Sequence, residues 1–279
     1  MARLITRRRA FFGLAALAAA AGTRRTLGVP GPQPEYGGFA MGIQSFSLRH
    51  LDLDSCLEAT AGFGLHHIEL YGAHLPIEAS AAQISETLKK ARRLDIAINA
   101  HGVNAFTADH EANRRVFEMA NLAGIRNLSA DPTNDEATFA SLEKLVEEFG
   151  VRIAIHNHGP SHVWGTIEPL LAALEGLHPR IGVCADLGHF IRAGVDPIAA
   201  IRAFEGRLFG VHLKDFDAPR SDAGNVIIGQ GLLDLQGTFA ALREVGFPAD
   251  GALSLEYEER DPEADIRECL AAASAAAKS

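Results

Sequence analysis

Cysteine is scarce in this chain of 279 residues. Cys56, Cys184 and Cys269 lie far apart and match no zinc-site spacing. Their odd number argues against a disulfide framework, so they read as small buried hydrophobes. Aromatic residues are also few, at 7%, while Ala, Leu and Gly are plentiful. That balance suits alternating helices and short buried strands better than a β-sandwich. Basic residues are outnumbered, 26 Lys and Arg against 35 Asp and Glu, and a formal charge of −9 argues against a general nucleic-acid surface. A phosphate-cradling P-loop pattern is missing as well.

The first 22 residues stand apart. "TRRRAFFGLAALAAAAG" carries a basic stretch, then an apolar run ending in small residues near Ala21 and Gly22. It is short for a membrane span of about 20 residues and reads as a removable export signal, the alternative being an uncleaved anchor. Arg8 and Arg9, followed by Ala10, Phe11 and Phe12, resemble a twin-arginine signal. Cleavage after Gly22 removes four arginines and no acid, taking the charge from −9 to −13. The expected location is therefore the periplasm. Because the twin-arginine route carries folded proteins, often with a metal seated, a metal site is worth seeking. Residues 23–40, rich in Gly and Pro, form a linker or N-terminal arm.

From Met41 onward strands and helices alternate. Strands are expected at 41–48, 66–72, 96–103, 125–131, 151–159, 180–186, 208–215 and 251–258. Helices are expected at 52–64, 80–95, 108–123, 134–150, 165–176, 197–204 and 235–247, with a closing helix after 260. Eight strands, each followed by a helix, predict an α/β fold: one (β/α)8 TIM barrel over residues 41–279.

In such a barrel the active site lies at the C-terminal strand ends. Those ends are Gln44, Glu69, His101, Asp131, His156 with His158, Asp186, His212 and Glu256. His156, Asp186, His212 and Glu256 end the last four strands, whose curvature aims them at one point. Two imidazoles and two carboxylates converging there call for a divalent cation. The mixed N/O set suits Mn²⁺ as first choice, with Co²⁺, Fe²⁺ or Zn²⁺ as alternatives.

"GIQSFSL", "GLHHIELYG", "ADLGHFIRAG", "GVHLKD" and "GQGLLDLQGTFAALREVGFPADGALSLEYE" resemble the xylose isomerase-like TIM barrel superfamily, the sugar phosphate isomerases and epimerases. The resemblance covers residues 41–275. It implies metal ligands at Asp186, His212 and Glu256. It departs at strand five, where the superfamily usually has Glu before Asn and this chain has His156 before Asn157, as inosose dehydratases do.

In the superfamily's ketose epimerases two carboxylates, on strands five and eight, act as a proton-transferring pair. Here Glu256 remains as base, and a metal-bound His156 is a poor one. His158 or His189 is then the second acid/base for isomerisation or epimerisation. Otherwise one base and one acid serve β-elimination, as in a lyase or dehydratase acting on a keto-sugar, keto-glycoside or inosose. A non-catalytic sugar-binding barrel is a third reading. The superfamily's apurinic endonuclease branch, which needs three zinc ions and a DNA surface, is disfavoured by the acidic charge and the expected export.

His189 contacts substrate or backs the ligands. Lys214 stabilises an oxyanion or is a solvated loop lysine. Glu69 orients substrate hydroxyls or forms a salt bridge. His101 and Gln44 are wall residues. His66 and His67 read as structural. The implied partners are an unphosphorylated small-molecule sugar and the twin-arginine export machinery. No nucleic acid and no stable membrane span after cleavage are expected, with room for a homo-oligomer.

Overall fold

The computed structural model describes residues 33–260 and 262–279. The expected export signal and the start of the expected arm lie outside the described residues. Eight parallel strands close into a barrel: β1 (Met41–Gln44), β2 (His67–Leu70), β3 (Ala97–Phe106), β4 (Asn127–Pro132), β5 (Arg152–His156), β6 (Ile181–Asp186), β7 (Leu208–Leu213) and β8 (Ala252–Leu255). Each pairs with the next, and β8 pairs with β1. The helices are α1 (Leu53–Gly62), α2 (Ala81–Arg93), α3 (His110–Ala123), α4 (Glu136–Phe149), α5 (Ile167–Leu174), α6 (Leu187–Arg192), α7 (Pro197–Ala203), α8 (Leu235–Glu244) and α9 (Glu263–Ala277). The single (β/α)8 barrel expected from the alternation is the architecture observed.

Side-chain alternation sorts each strand into two faces. Ile153 and Ile155 on β5, Val183 on β6, Val211 and Leu213 on β7, and Leu253 and Leu255 on β8 point out and are buried in the main core. Their opposite-facing neighbours fill the barrel. Ala154, Cys184 and Phe209 form a separate buried cluster below the strand ends. Arg152 closes it, with its guanidinium 5.0 Å from the Phe209 ring centroid and 2.8 Å from Asp250. All three cysteines are buried.

Helix starts are written in the sequence. Asp52, Asp109, Asp135, Asp196 and Asp234 cap α1, α3, α4, α7 and α8 through side-chain oxygens, and Ser80 makes a capping box with Gln83. Register then sets the rim: Asp186 lies opposite His212, Ser254 opposite His212, and Gln44 opposite Glu69.

Several expectations are corrected. The first strand ends at Gln44, because its side-chain oxygen accepts from the Phe46 N–H and turns the chain into a 3-10 helix, Ser45–Leu48. Strand five ends at His156 rather than 159, since Asn157 turns aside to bind β6. Helix α6 was not expected: it starts directly on Asp186, without a separating loop. Past β7, Asp215–Phe216 and Asn225–Val226 pair as an antiparallel ribbon outside the barrel. Within the arm, Pro34–Tyr36 forms a 3-10 turn that buries Tyr36. Among the described residues no helix is long and apolar enough to cross a membrane.

Candidate active site

At the C-terminal ends of the strands lies a cavity of about 280 Å³, near the lower end of small-ligand pockets. His156, His158, His189, Glu256 and Glu258 line one side, and Gln44, Phe46, Tyr71, Gly72, Gly102 and Val103 the other. In the floor, His156, Asp186, His212 and Glu256 each offer a ligand atom, all within 4.8 Å of one another, and all four residues are buried.

The orientation of each group has a local cause. Asp186 ends β6 and caps α6: its Oδ1 accepts the His189 N–H at 2.7 Å. Its Oδ2 is therefore free to face the floor, where it is buried without a hydrogen-bond partner. Asn157 holds the strand end in place, accepting from the Asp186 N–H at 2.7 Å and donating to its carbonyl at 2.9 Å. His212 is set by Glu69. Burial alone would raise the Glu69 carboxyl, but the His212 ring and the Ser129 and Ser254 hydroxyls outweigh it and keep Glu69 ionised. An ionised carboxylate only accepts, so His212 carries a proton on Nε2, 2.9 Å from Glu69.

Nδ1 of His212 then turns to the cluster, 3.0 Å from His156 Nε2, 3.2 Å from a Glu256 oxygen and 3.9 Å from Asp186 Oδ2. His156 Nδ1 is buried and unpartnered, and burial pushes this ring far toward the neutral form. Burial likewise pushes the Asp186 carboxyl up.

Lys214 is wholly buried and does not line the cavity. Its ammonium lies 3.1 Å from Glu256, 2.7 Å from Glu258 and 3.7 Å from Asp186. Burial opposes ionisation of Glu256, yet Lys214 and His212 overcome it and hold that carboxyl well below its usual range. A Cβ on Gly188 would come within 2.8 Å of the Lys214 stem, so glycine in "DLGH" is what lets the lysine pass. One ammonium faces the carboxylates of Asp186, Glu256 and Glu258. Burial opposes protonation of His212, but Cys184, Glu69 and Glu256 outweigh it and push this ring toward its charged form. Two imidazoles packed together, an orphaned Asp186 oxygen and three carboxylates around one ammonium fit a divalent cation that would take the place of that proton. His156, Asp186, His212 and Glu256 would hold it.

The other candidates fall in different places. His158 lines the cavity beside His156, with ring centroids 4.7 Å apart. His189 also lines it, and its Nδ1 faces Arg192 Nη1 at 3.4 Å. Since guanidinium only donates, the His189 proton lies on Nε2. Glu69 sits beneath the floor behind His212. Gln44 reaches the wall, but its amide binds the Gly102 carbonyl and the Phe46 N–H. His101 does not line the cavity: it is tied to the Leu75 carbonyl and to Asn104. Asp131 lies outside the cluster, 3.5 Å from His162.

Two residues that support the site stand in motifs read from the sequence but carry no role assigned from it. Asn157 is one, and the Glu-to-His change just before it was the nearest signal. Asp215 is the other: its carboxylate accepts from the backbone N–H groups of Phe216, Gly229, Gly231, Leu232 and Leu233. A Cβ on Gly231 would sit 2.5 Å from that carboxylate. The "HLKD" and "GQG" segments are thus two halves of one loop anchor.

The chain is 26% identical over 213 residues to 3-oxo-isoapionate decarboxylase of Pectobacterium atrosepticum, covering 69% of this chain and 74% of the relative. It is 29% identical over 119 residues to inosose dehydratase of Clostridium beijerinckii, covering 41% of this chain and only 37% of that protein. Among solved structures it superposes on the 3-keto-D-glucoside 4-epimerase of E. coli with a TM-score of 0.65, at 15% identity, covering 84% of this chain and 98% of that one. The xylose isomerase-like TIM barrel profile matches residues 57–275, a span that takes in every strand from β2 to β8 and all four floor residues. The chain belongs to the xylose isomerase-like TIM barrel family.

Proposed function

We propose that this chain is a divalent-cation-dependent enzyme that removes a proton beside the carbonyl of an unphosphorylated sugar or keto-sugar, forming an enediolate, and acts as an isomerase or epimerase. The observation that carries this reading is the convergence of four ligand atoms, from His156, Asp186, His212 and Glu256, beneath a cavity that Glu256 also lines. A cation bound there, Mn²⁺ by preference or Co²⁺, Fe²⁺ or Zn²⁺, supplies Lewis-acid polarisation of the carbonyl. Glu256 is the base, kept ionised by Lys214 at 3.1 Å. Lys214 thus acts on Glu256 rather than on substrate. His189 presents Nε2–H to a substrate oxygen, and His158 at the cavity edge is the second acid/base that exchange between two faces needs.

His156 favours a second reading. With an imidazole ending β5, and with Glu258 tied to Lys214 at 2.7 Å, Glu256 is left as the single carboxylate base. One base forming an enolate, with an imidazole N–H assisting a leaving group, is β-elimination by a lyase or dehydratase. Decarboxylation, dehydration and epimerisation, the reactions named for the three relatives, all build negative charge beside a carbonyl.

The test is a panel of free and 3-keto sugars incubated with protein and Mn²⁺ in D₂O and read by mass spectrometry. Deuterium gain without change of composition supports isomerisation, and loss of water or an aglycone supports elimination. Binding without turnover of any sugar would make the protein a sugar-binding barrel. Unchanged turnover in Glu256→Gln would overturn both enzymatic readings. We also propose periplasmic export by the twin-arginine machinery, from Arg8, Arg9 and the apolar run after them. Replacing both arginines with lysine should retain the protein in the cytoplasmic fraction, and an unchanged periplasmic pool would contradict export by this route.

A further inference from the structure

The two sides of the cavity differ in chemistry. Floor and near side carry imidazoles and carboxylates. The far side, on the segments following β1 and β2 and within β3, carries Phe46, Tyr71 and Val103.

Phe46 is pinned rather than loose. Its ring meets Tyr71 edge-to-face at 5.5 Å, and the Arg49 guanidinium lies 4.7 Å from its centroid. Arg49 is itself fixed by the carbonyls of Phe46 and Glu258, at 3.1 and 2.6 Å. Tyr71 is backed by His74, with ring centroids 4.7 Å apart, and its N–H donates to Ser45 at 2.9 Å. An aromatic surface held in this way binds without a large ordering cost.

The same side offers little to a hydroxyl. Gln44 has committed both ends of its amide to backbone groups. Among the described side chains on this side, the Tyr71 hydroxyl and the second amide N–H of Gln44 are the polar groups left to a ligand. A polyhydroxylated ring pressed there would desolvate hydroxyls without replacing their hydrogen bonds. Val103, an apolar residue that is 38% exposed, stands where this wall meets solvent. A substituent projecting from a sugar held on the floor would run along it.

We propose that Phe46, Tyr71 and Val103 form an aglycone subsite, and that the substrate is a keto-glycoside whose aglycone is apolar. This rests on the reading of the floor as the place where the keto-sugar is held. The polar groups take the sugar ring, and the pinned aromatic pair takes the aglycone face-on or edge-on.

The test compares dissociation constants of 4-nitrophenyl and methyl 3-keto-β-D-glucopyranoside, measured by calorimetry on Mn²⁺-supplemented protein. Wild type should bind the aryl glycoside about tenfold more tightly, and Phe46→Ala should lose about threefold to tenfold of that preference while the methyl glycoside binds as before. Phe46→Leu, which keeps an apolar side chain, should retain part of it. Circular dichroism of Phe46→Ala, required to match wild type before binding is measured, keeps a folding defect from passing as an equal loss for both ligands. Equal affinities in wild type, an equal loss for both ligands in Phe46→Ala, or binding of neither glycoside overturns the proposal. Measuring the same ratio in Glu256→Gln separates the two ideas: an aryl preference that persists while wild type turns over no sugar leaves the subsite standing and removes the enzymatic reading alone.

Discussion

Glu69 on β2 accepts a hydrogen bond from His212 Nε2 on β7 at 2.9 Å, across 143 positions of sequence, and so decides which ring nitrogen of His212 faces the cavity. A carboxylate buried under a barrel floor is costly unless it has such work. Its remaining acceptor capacity is met by Ser129 and Ser254.

Replacing Glu69 with glutamine substitutes a group that can donate as well as accept and frees the His212 tautomer. Affinity for Mn²⁺ should fall about 10-fold to 100-fold, the usual effect of losing such an outer partner. Titration of the metal into apo-protein checks this, with circular dichroism showing that the barrel is retained. An unchanged affinity would mean that Glu69 is only a structural ion-pair partner.

Asn157 makes a two-point clamp on the Asp186 peptide. In Asn157→Ala a buried N–H and a buried carbonyl both lose their partner, which should cost about 2–4 kcal/mol on the scale of unsatisfied buried groups. Urea denaturation measures it. Metal affinity should fall as well, because the strand end that carries Asp186 is no longer held.

His67 supplies a pH dependence. Burial, with a smaller contribution from neighbouring His66, pushes its pKa down to about 4, and neither ring nitrogen has a hydrogen-bond partner. The unfolded chain takes up this proton near pH 6.5. Stability is therefore fully present above about 6.5 and is lost as pH falls toward 4, by at most about 3 kcal/mol. His67→Leu should flatten that part of the profile and, by removing an orphaned buried polar group, stabilise the protein at neutral pH. Urea melts at pH 7.5 and 4.5 for both proteins test it; equal slopes would refute the assignment.

Much of this was legible from the sequence because it depends on local pattern. Hydrophobic runs broken by Gly and capped by Asp place the strands and helices, and so place His156, Asp186, His212 and Glu256 at one rim. What escaped depends on partners distant in sequence or on backbone that a pattern does not reveal. The apolar spacing of "GIQSFSL" suits a strand, yet the Gln44 side chain bends it into a 3-10 turn. Nothing near Glu69 signals a partner on β7. His101 looked like a wall residue, and only the position of Leu75 and Asn104 shows it tied away from the cavity. Lys214 looked like a loop lysine or an oxyanion group until Gly188 showed where its stem runs.

Equilibrium dialysis of apo-protein against Mn²⁺ bears most directly on the floor of the cavity. One ion per chain should bind to wild type, and binding should be lost in both Asp186→Asn and His212→Gln while the barrel stays folded. Absence of binding to wild type, or undiminished binding in both variants, would show that these four residues are a hydrogen-bonded cluster and not a metal centre.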